Sequence, residues 1–347
     1  KNKTVDLKTQ SKELQDLLST YENSVKDILY QIPNIPNDLV KAGKDADDNE
    51  IVFEHGEATP KPENLPHWEV AKKFDIIDFE LGVKITGAGF PVYKGKGARL
   101  QRALTQFFLD KNSDAGYTEI VPPFVVNEAS GYGTGQLPDK EGQMYYINED
   151  DLYLIPTAEV PVTNIYRDTI VKAEDLPITL TAYSPCFRRE AGSYGKDVRG
   201  LNRLHQFEKV EIVRIEKPEN SYVALDGMVE HVKGILEDLE LPYRILRLCG
   251  GDTGFTSAIT YDFEVFSEAQ EKWLEVSSVS NFETFQANRL KLRYKDENGT
   301  QLAHSLNGSA LALPRILASI LENHQQADGT VKIPKALQAY TRFEILD

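Results

Sequence analysis

The sequence predicts an α+β fold, an antiparallel β-sheet flanked by helices, and three observations lead there. Strand-like runs cluster along the chain and do not alternate regularly with helices, as a doubly wound parallel sheet would require. The runs "LTAYSPCFRRE" and "RLHQFEKVEIVRI" alternate in character and flank one Gly-containing charged segment, the pattern of two adjacent antiparallel strands. Helical periodicity appears at "KGARLQRALTQFFLDKN", "ENSYVALDGMVEHVKGILEDL" and "ALALPRILASILENHQ". At 347 residues the chain can bury one large core and carry an appendage.

The elements follow in order. In "VDLKTQSKELQDLLSTYENSVKDILYQI", Leu7, Leu14, Leu18, Tyr21, Val25, Ile28 and Ile32 recur at helical spacing and make one apolar stripe. This helix is either one half of a helical hairpin or an amphipathic helix packed on the body. Pro33 and Pro36 end it, because each lacks a backbone donor and disfavours helical geometry in the residue before it. Residues 1–33 are thus set off from a polar, turn-rich linker at 34–66 with room for one short strand, and 67–347 form the globular body. In "GYTEIVPPFVV" the pair Pro122 and Pro123 confines an extended run to a sheet edge, bulge or strand end. Further strands are expected at "YYINEDDLYLIP", "ITYDFEVFS" and "KWLEVSSVS", and "GGDTG" is a turn entering the first of the last two, since it lacks a phosphate-loop Lys.

Composition excludes several classes. Lys plus Arg is 39 against 54 for Asp plus Glu, a net charge of −15, so no surface-wide coating of nucleic acid is expected. Cys186 and Cys249 are too few for a disulfide framework and have no metal-ligand spacing, which points to a reducing, cytoplasmic setting and away from zinc. The chain has no apolar run of membrane-spanning length, and its start is too polar for a signal peptide.

The stretch "FRREAGSYGKDVRGLNRLHQFEKVE" concentrates the chemistry. Strand alternation places Cys186, Arg188 and Glu190 on one face, and Arg203, His205, Phe207, Lys209 and Glu211 on one face of the returning arm. The segment from Ala191 to Asn202 joins them as a loop long enough to suggest a function. Arginine suits phosphate, an aromatic ring suits a purine, and carboxylates accept from amines or help hold a metal. Together these are the parts of a site for a nucleotide and an amine.

This stretch resembles motif 2 of the seryl-tRNA synthetases, class II aminoacyl-tRNA synthetases. "LIPTAEVPV" is similar to their serine-pocket element, "EVSSVSN" to the element lining the ATP and metal site, "ASGYGTGQLP" to a further family string, and "LNGSALALPRILASILENHQQADG" to motif 3. The resemblance runs from about Lys1 to the C-terminus and implies serine–tRNA ligation: L-serine and ATP give seryl-adenylate and pyrophosphate, and the seryl group passes to the terminal ribose of tRNA(Ser). It implies Arg188 on the α-phosphate and the reacting carboxylate, Arg315 on the triphosphate, Glu190 at the adenine end and Phe207 stacked on the base. The wider ATP set takes in Arg189, Leu204, Glu275, Val276, Ser277 and Ser278, with Glu275 and Ser278 as ligands of Mg²⁺. The serine set is Thr157, Ala158, Glu159, Arg188, Glu211, Asn307 and Ser309, with Glu211 taking the ammonium. The implied partners are L-serine, ATP, tRNA(Ser) and a second copy of the chain meeting around Lys96 to Val126, with neither DNA nor a membrane.

Several departures bear on that assignment. Motif 3 here reads Gly308, Ser309, Ala310, then Pro314 and Arg315; the arginine remains, and Pro314 is compatible with a first helical turn. Val279 stands where the family has Cys, which weighs against a metal role there. Plain alternation puts Glu275 and Ser278 on opposite faces, and a bulge near Ser277 would bring them together. The family's N-terminal coiled coil is represented by its returning helix, from which seryl-adenylate formation with reduced tRNA charging is expected. Two other readings are a paralogue that activates an amino acid for a different carrier and a catalytically silent binding homologue. Strand parity separates the neighbouring arginines: Arg188→Ala should abolish serine-dependent ATP–pyrophosphate exchange while Arg189→Ala retains most of it, and equal losses would refute the face assignment.

Overall fold

The computed structural model describes residues 2–190 and 199–347, so most of the expected loop from Ala191 to Asn202 lies outside the described residues. Its centre is an eight-stranded sheet. In chain order the strands are β1 (Glu50–His55), β2 (Thr118–Glu119), β3 (Ile178–Phe187), β4 (Gln206–Glu216), β5 (Tyr243–Arg247), β6 (Ile259–Ser267), β7 (Lys272–Glu283) and β8 (His304–Ala312). They lie in the spatial order β1-β5-β6-β7-β8-β4-β3-β2 and pair antiparallel except for β2 with β3. The expected fold class is therefore observed.

Helix α1 (Asn2–Leu29) precedes the body, and the sheet is framed by α2 (His67–Lys73), α3 (Gly95–Asp114), α4 (Glu159–Asn164), α5 (Ser221–Asp238), α6 (Thr284–Leu290) and α7 (Leu313–Asn323). One sheet face is apolar. Val210, Ile212, Ile245, Phe263, Val265, Val279, Leu306 and Ala310 project from successive strands into a single core with Leu100, Leu104 and Phe108 of α3, Met228 and Val232 of α5, and Ile316 and Ile320 of α7. Burying such side chains contributes about 1.5–3 kcal/mol each relative to exposure, which makes this face the main stabilising layer. The opposite face keeps polar residues at the middle of the sheet.

Three sequence expectations take definite form here. Along α1, Leu7, Leu14, Leu18 and Tyr21 are 58%, 66%, 56% and 61% exposed, so this stripe is not packed on the body. The 34–66 segment does more than link, because β1 pairs antiparallel with β5 and closes one edge of the sheet. Pro122 and Pro123 split their extended run, which resumes as a strand at Val125–Asn127. None of the described helices is long and apolar enough to cross a membrane.

Close packing fixes how α3 meets the layer below it. A Cβ on buried Gly97 would stand 2.3 Å from the Ile76 carbonyl oxygen and 2.9 Å from the Ile76 Cβ. Alanine would improve helix propensity by about 1 kcal/mol, but overpacking costs about 1–3 kcal/mol and the backbone atoms cannot rotate away. Gly97→Ala should therefore lower the urea midpoint in equilibrium unfolding; an unchanged or higher midpoint would show that this contact yields.

Candidate active site

The site lies on the polar sheet face because two long strands hold one register. β3 and β4 pair from Gln206↔Phe187 to Ile215↔Ile178 without a slip. Alternation then sends Val210 and Ile212 to the core and Phe207, Lys209 and Glu211 to the other face, where they line a cavity of about 740 Å³.

The arginines assigned to phosphate from the sequence collect at the end of this hairpin. Arg188 lies one residue past β3, its N–H bonded to the His205 carbonyl at 2.9 Å. Its guanidinium stands 5.3 Å from the Phe207 ring centre, and its Nε donates to the Pro156 carbonyl at 3.4 Å. Glu190 has φ 47°, so simple strand parity no longer applies to it, yet it lines the cavity and its carboxylate accepts from Arg203 at 2.8 Å. Arg315 enters from α7, whose first turn contains Pro314 as the sequence allowed. Its Nη1 donates to the Glu275 carbonyl at 2.7 Å and its Nε to the Asn202 carbonyl at 3.2 Å, which sets the guanidinium plane.

The bulge expected in β7 is present at Val276. Glu264 pairs with Glu275 but the next β6 residue, Phe263, pairs with Ser277, so one extra residue is inserted. Glu275, Ser278 and Ser280 consequently share the cavity face. Asp262 lies opposite Ser278, and burial, then the charge of Glu275, pushes its carboxyl well above the usual range. One of its oxygens has no hydrogen-bond partner. These donors are all oxygen, and no cluster of three or more His, Cys, Asp or Glu suited to a metal occurs among the described residues. Such a set fits a hard divalent cation that takes most of its ligands from phosphates and water, the habit of Mg²⁺.

Carboxylates occupy the other end. Thr157, just before α4, donates to Glu211 at 2.8 Å, and Lys209 pairs with the same carboxylate oxygen at 2.5 Å. Glu159 accepts from Gln286 of α6 at 2.6 Å. Burial, then the charge of Glu211, raises the Glu159 pKa to about 7 despite Gln286, Lys209 and Asn307. Asn307 and Ser309 complete this end from β8, Ser309 directly opposite Glu211.

Of the sequence-predicted residues, Ala158 and Arg189 do not line the cavity. His205, expected beside Phe207, is instead held by the Tyr145 hydroxyl at 2.9 Å and stacked on Phe90; its position one residue before β4 frees it from the strand's alternation. Lys209 was on the predicted face but was not assigned to the site, and only its distance to Glu211 reveals its place. Gln286 had no sequence signal, since α6 reaches the site through tertiary packing.

The family model for the tRNA synthetase class II core domain (G, H, P, S and T) matches residues 144–324. A serine–tRNA ligase of Salinibacter ruber is 56% identical over 321 residues, covering 92% of this chain and 75% of that protein. Another, from Gloeothece citriformis, is 47% identical over 349 residues, covering 100% of this chain and 80% of its own. A crystal structure of seryl-tRNA synthetase from Pyrococcus horikoshii complexed with ATP superposes with a TM-score of 0.93 at 34% identity, covering 96% of this chain and 80% of that one.

The raised Glu159 pKa has a stability consequence. A carboxyl titrating at about 7 when folded, against an ordinary value of 4.5, contributes stability that is complete below pH 4.5 and lost as pH rises through 7. The loss for such a shift is on the order of 3 kcal/mol. Denaturant unfolding at pH 5 and pH 8 should show the parent protein losing more stability than Glu159→Gln across that window; parallel losses would mean that Glu159 titrates normally.

Proposed function

The chain belongs to the serine–tRNA ligase family of class II aminoacyl-tRNA synthetases, and we propose that this cavity carries out both steps of that activity on L-serine, ATP and tRNA(Ser). One observation carries the assignment of the site: a single cavity has Arg188, Arg315, Glu190 and Phe207 at one end and Thr157, Glu159, Glu211, Asn307 and Ser309 at the other. The first group suits a nucleotide and the second suits a small amino acid bearing a hydroxyl.

In the first step an oxygen of the serine carboxylate attacks the α-phosphorus of ATP. The bond from that phosphorus to the β-bridging oxygen breaks, and pyrophosphate leaves. Serine's carboxylate is already ionised at neutral pH, so the protein need supply no base; its work is alignment and charge stabilisation. Arg188, between the two ends, holds the α-phosphate and the reacting carboxylate, while Phe207 stacks on adenine and Glu190 accepts from its amino group. Arg315, oriented by two backbone carbonyls, holds the outer phosphates. Bound at Glu275 and Ser278, magnesium would offset charge on the phosphates.

The serine end is balanced for one cation. Glu211, paired with Lys209, takes the substrate ammonium, and the neighbouring Glu159 carboxyl, which titrates at about 7, can give up its proton to share that added positive charge. The hydroxyl pairs with the polar set around Ser309 and Thr157, and an amino acid without it leaves those groups unsatisfied. In the second step a hydroxyl of the terminal ribose attacks the seryl carbonyl carbon, the acyl–phosphate bond breaks, and AMP leaves.

The wider assembly belongs to the same proposal. Residues 1–33 are assigned to a tRNA-binding helical arm, 34–66 to the connection and 67–347 to the catalytic domain; the exposed stripe of α1 supports the first. Contact with a second copy around Lys96 to Val126 is supported by Val121, 83% exposed, beside half-exposed Phe124 and Val125. A cytoplasmic setting is supported by two buried, unpaired cysteines. Serine should drive ATP–pyrophosphate exchange, with alanine and threonine weaker by at least about tenfold at equal concentration. Folded protein that exchanged none of them, or exchanged alanine as well as serine, would overturn the site assignment.

A further inference from the structure

His67 lies outside every residue assigned to the cavity and is completely buried at the start of α2. Both its ring nitrogens are committed. Nε2 accepts the N–H of Leu201 at 2.8 Å, so that nitrogen carries no proton. The proton sits on Nδ1 and is donated to Glu322 of α7 at 2.6 Å. The His67 backbone N–H donates to the same carboxylate oxygen at 2.8 Å, and the Ser267 hydroxyl donates to the other oxygen.

Leu201 belongs to the leg that returns the charged loop to β4, and Leu201, Asn202, Arg203 and Leu204 all line the cavity. Three consecutive residues of this leg meet three consecutive residues of α2. Arg199 lies 4.6 Å from the Trp68 ring centre and 3.4 Å from a Glu69 oxygen. Gly200 has φ 69°, and a Cβ there would be 2.1 Å from the His67 Nε2, so only glycine lets the chain pass. Leu201 then donates to His67. The next residue, Asn202, accepts from Arg315 through its carbonyl at 3.2 Å and donates to Gln270 at 3.0 Å; Gln270 in turn donates to Glu322 at 2.8 Å. Since Glu322 lies seven residues after Arg315 on α7, both fall on one side of that helix, and the hydrogen bonds close a ring.

We propose that His67 is a positioning residue for ATP: it fixes the returning leg of the loop and, through Asn202, the guanidinium of Arg315. The assignment rests on the reading of this end of the cavity as the ATP site. A histidine that merely filled the core would give a different result, because its two hydrogen bonds could be lost with equal effect.

Two substitutions separate those bonds. Asn places its amide near the position of Nδ1, so His67→Asn keeps a donor for Glu322 and leaves the Leu201 N–H unpaired; His67→Gln reaches the position of Nε2 and keeps that acceptor. In serine-dependent ATP–pyrophosphate exchange, His67→Asn should raise the KM for ATP by about tenfold or more while the KM for serine stays within about threefold. Amide hydrogen exchange at Leu201 should accelerate in the same variant. His67→Gln should hold the ATP KM within about threefold of the parent. Equal ATP effects from the two variants, or ATP and serine constants rising together, would overturn the proposal. Calorimetric ATP binding keeps the two readings apart: a parent protein that binds ATP without exchange would defeat the serine-activating assignment, and the ratio of ATP Kd between the variants would still decide the role of His67.

Discussion

The register between β3 and β4 is the constraint on which the site depends. Because side chains alternate with a period of two, sliding one strand by a single residue would send Lys209 and Glu211 into the apolar core and turn Val210 and Ile212 toward the cavity. The apolar face prevents this, since Val210 and Ile212 pack against the same core as α3, α5 and α7. The large hydrophobic layer is therefore also what aims the polar residues. Phe207 opposite Cys186, and Glu211 opposite Ala182, are consequences of core packing on the far side of the sheet.

The second constraint is electrostatic. Glu159 and Glu211 are both buried, and two buried carboxylates tolerate each other only with compensation. Lys209 and Thr157 stabilise the charge on Glu211, while Glu159 holds its proton up to about pH 7. At the other end Arg188 and Arg315 are held by backbone carbonyls, and Arg315 also lies 3.6 Å from the Glu275 carboxylate. In a protein of net charge −15, these two guanidiniums line the cavity together with the carboxylates of Glu190 and Glu275.

A good part of this was legible in the residues. Periodicity located α3, α5 and α7 and the two long strands, and parity distinguished Arg188 from Arg189 by face. The bulge in β7 was inferable because Glu275 and Ser278 could not otherwise share a face, and it occurs at Val276. Parity misled at His205, which lies outside β4 and answers to Tyr145 and Phe90. It had nothing to say about Gln286, which contacts Glu159 across 127 residues of sequence.

By itself, the sequence determined the fold class, the paired arms bearing Arg188 and Glu211, and the identity of the family, because these depend on local period and on ordered motifs. Only the tertiary structure decided which carboxylate has a lysine partner, which titrates near neutrality, and that His67 and Glu322 support the returning leg of the loop. Those properties depend on distance and desolvation between residues far apart in the chain, and neither quantity can be read from a one-dimensional pattern.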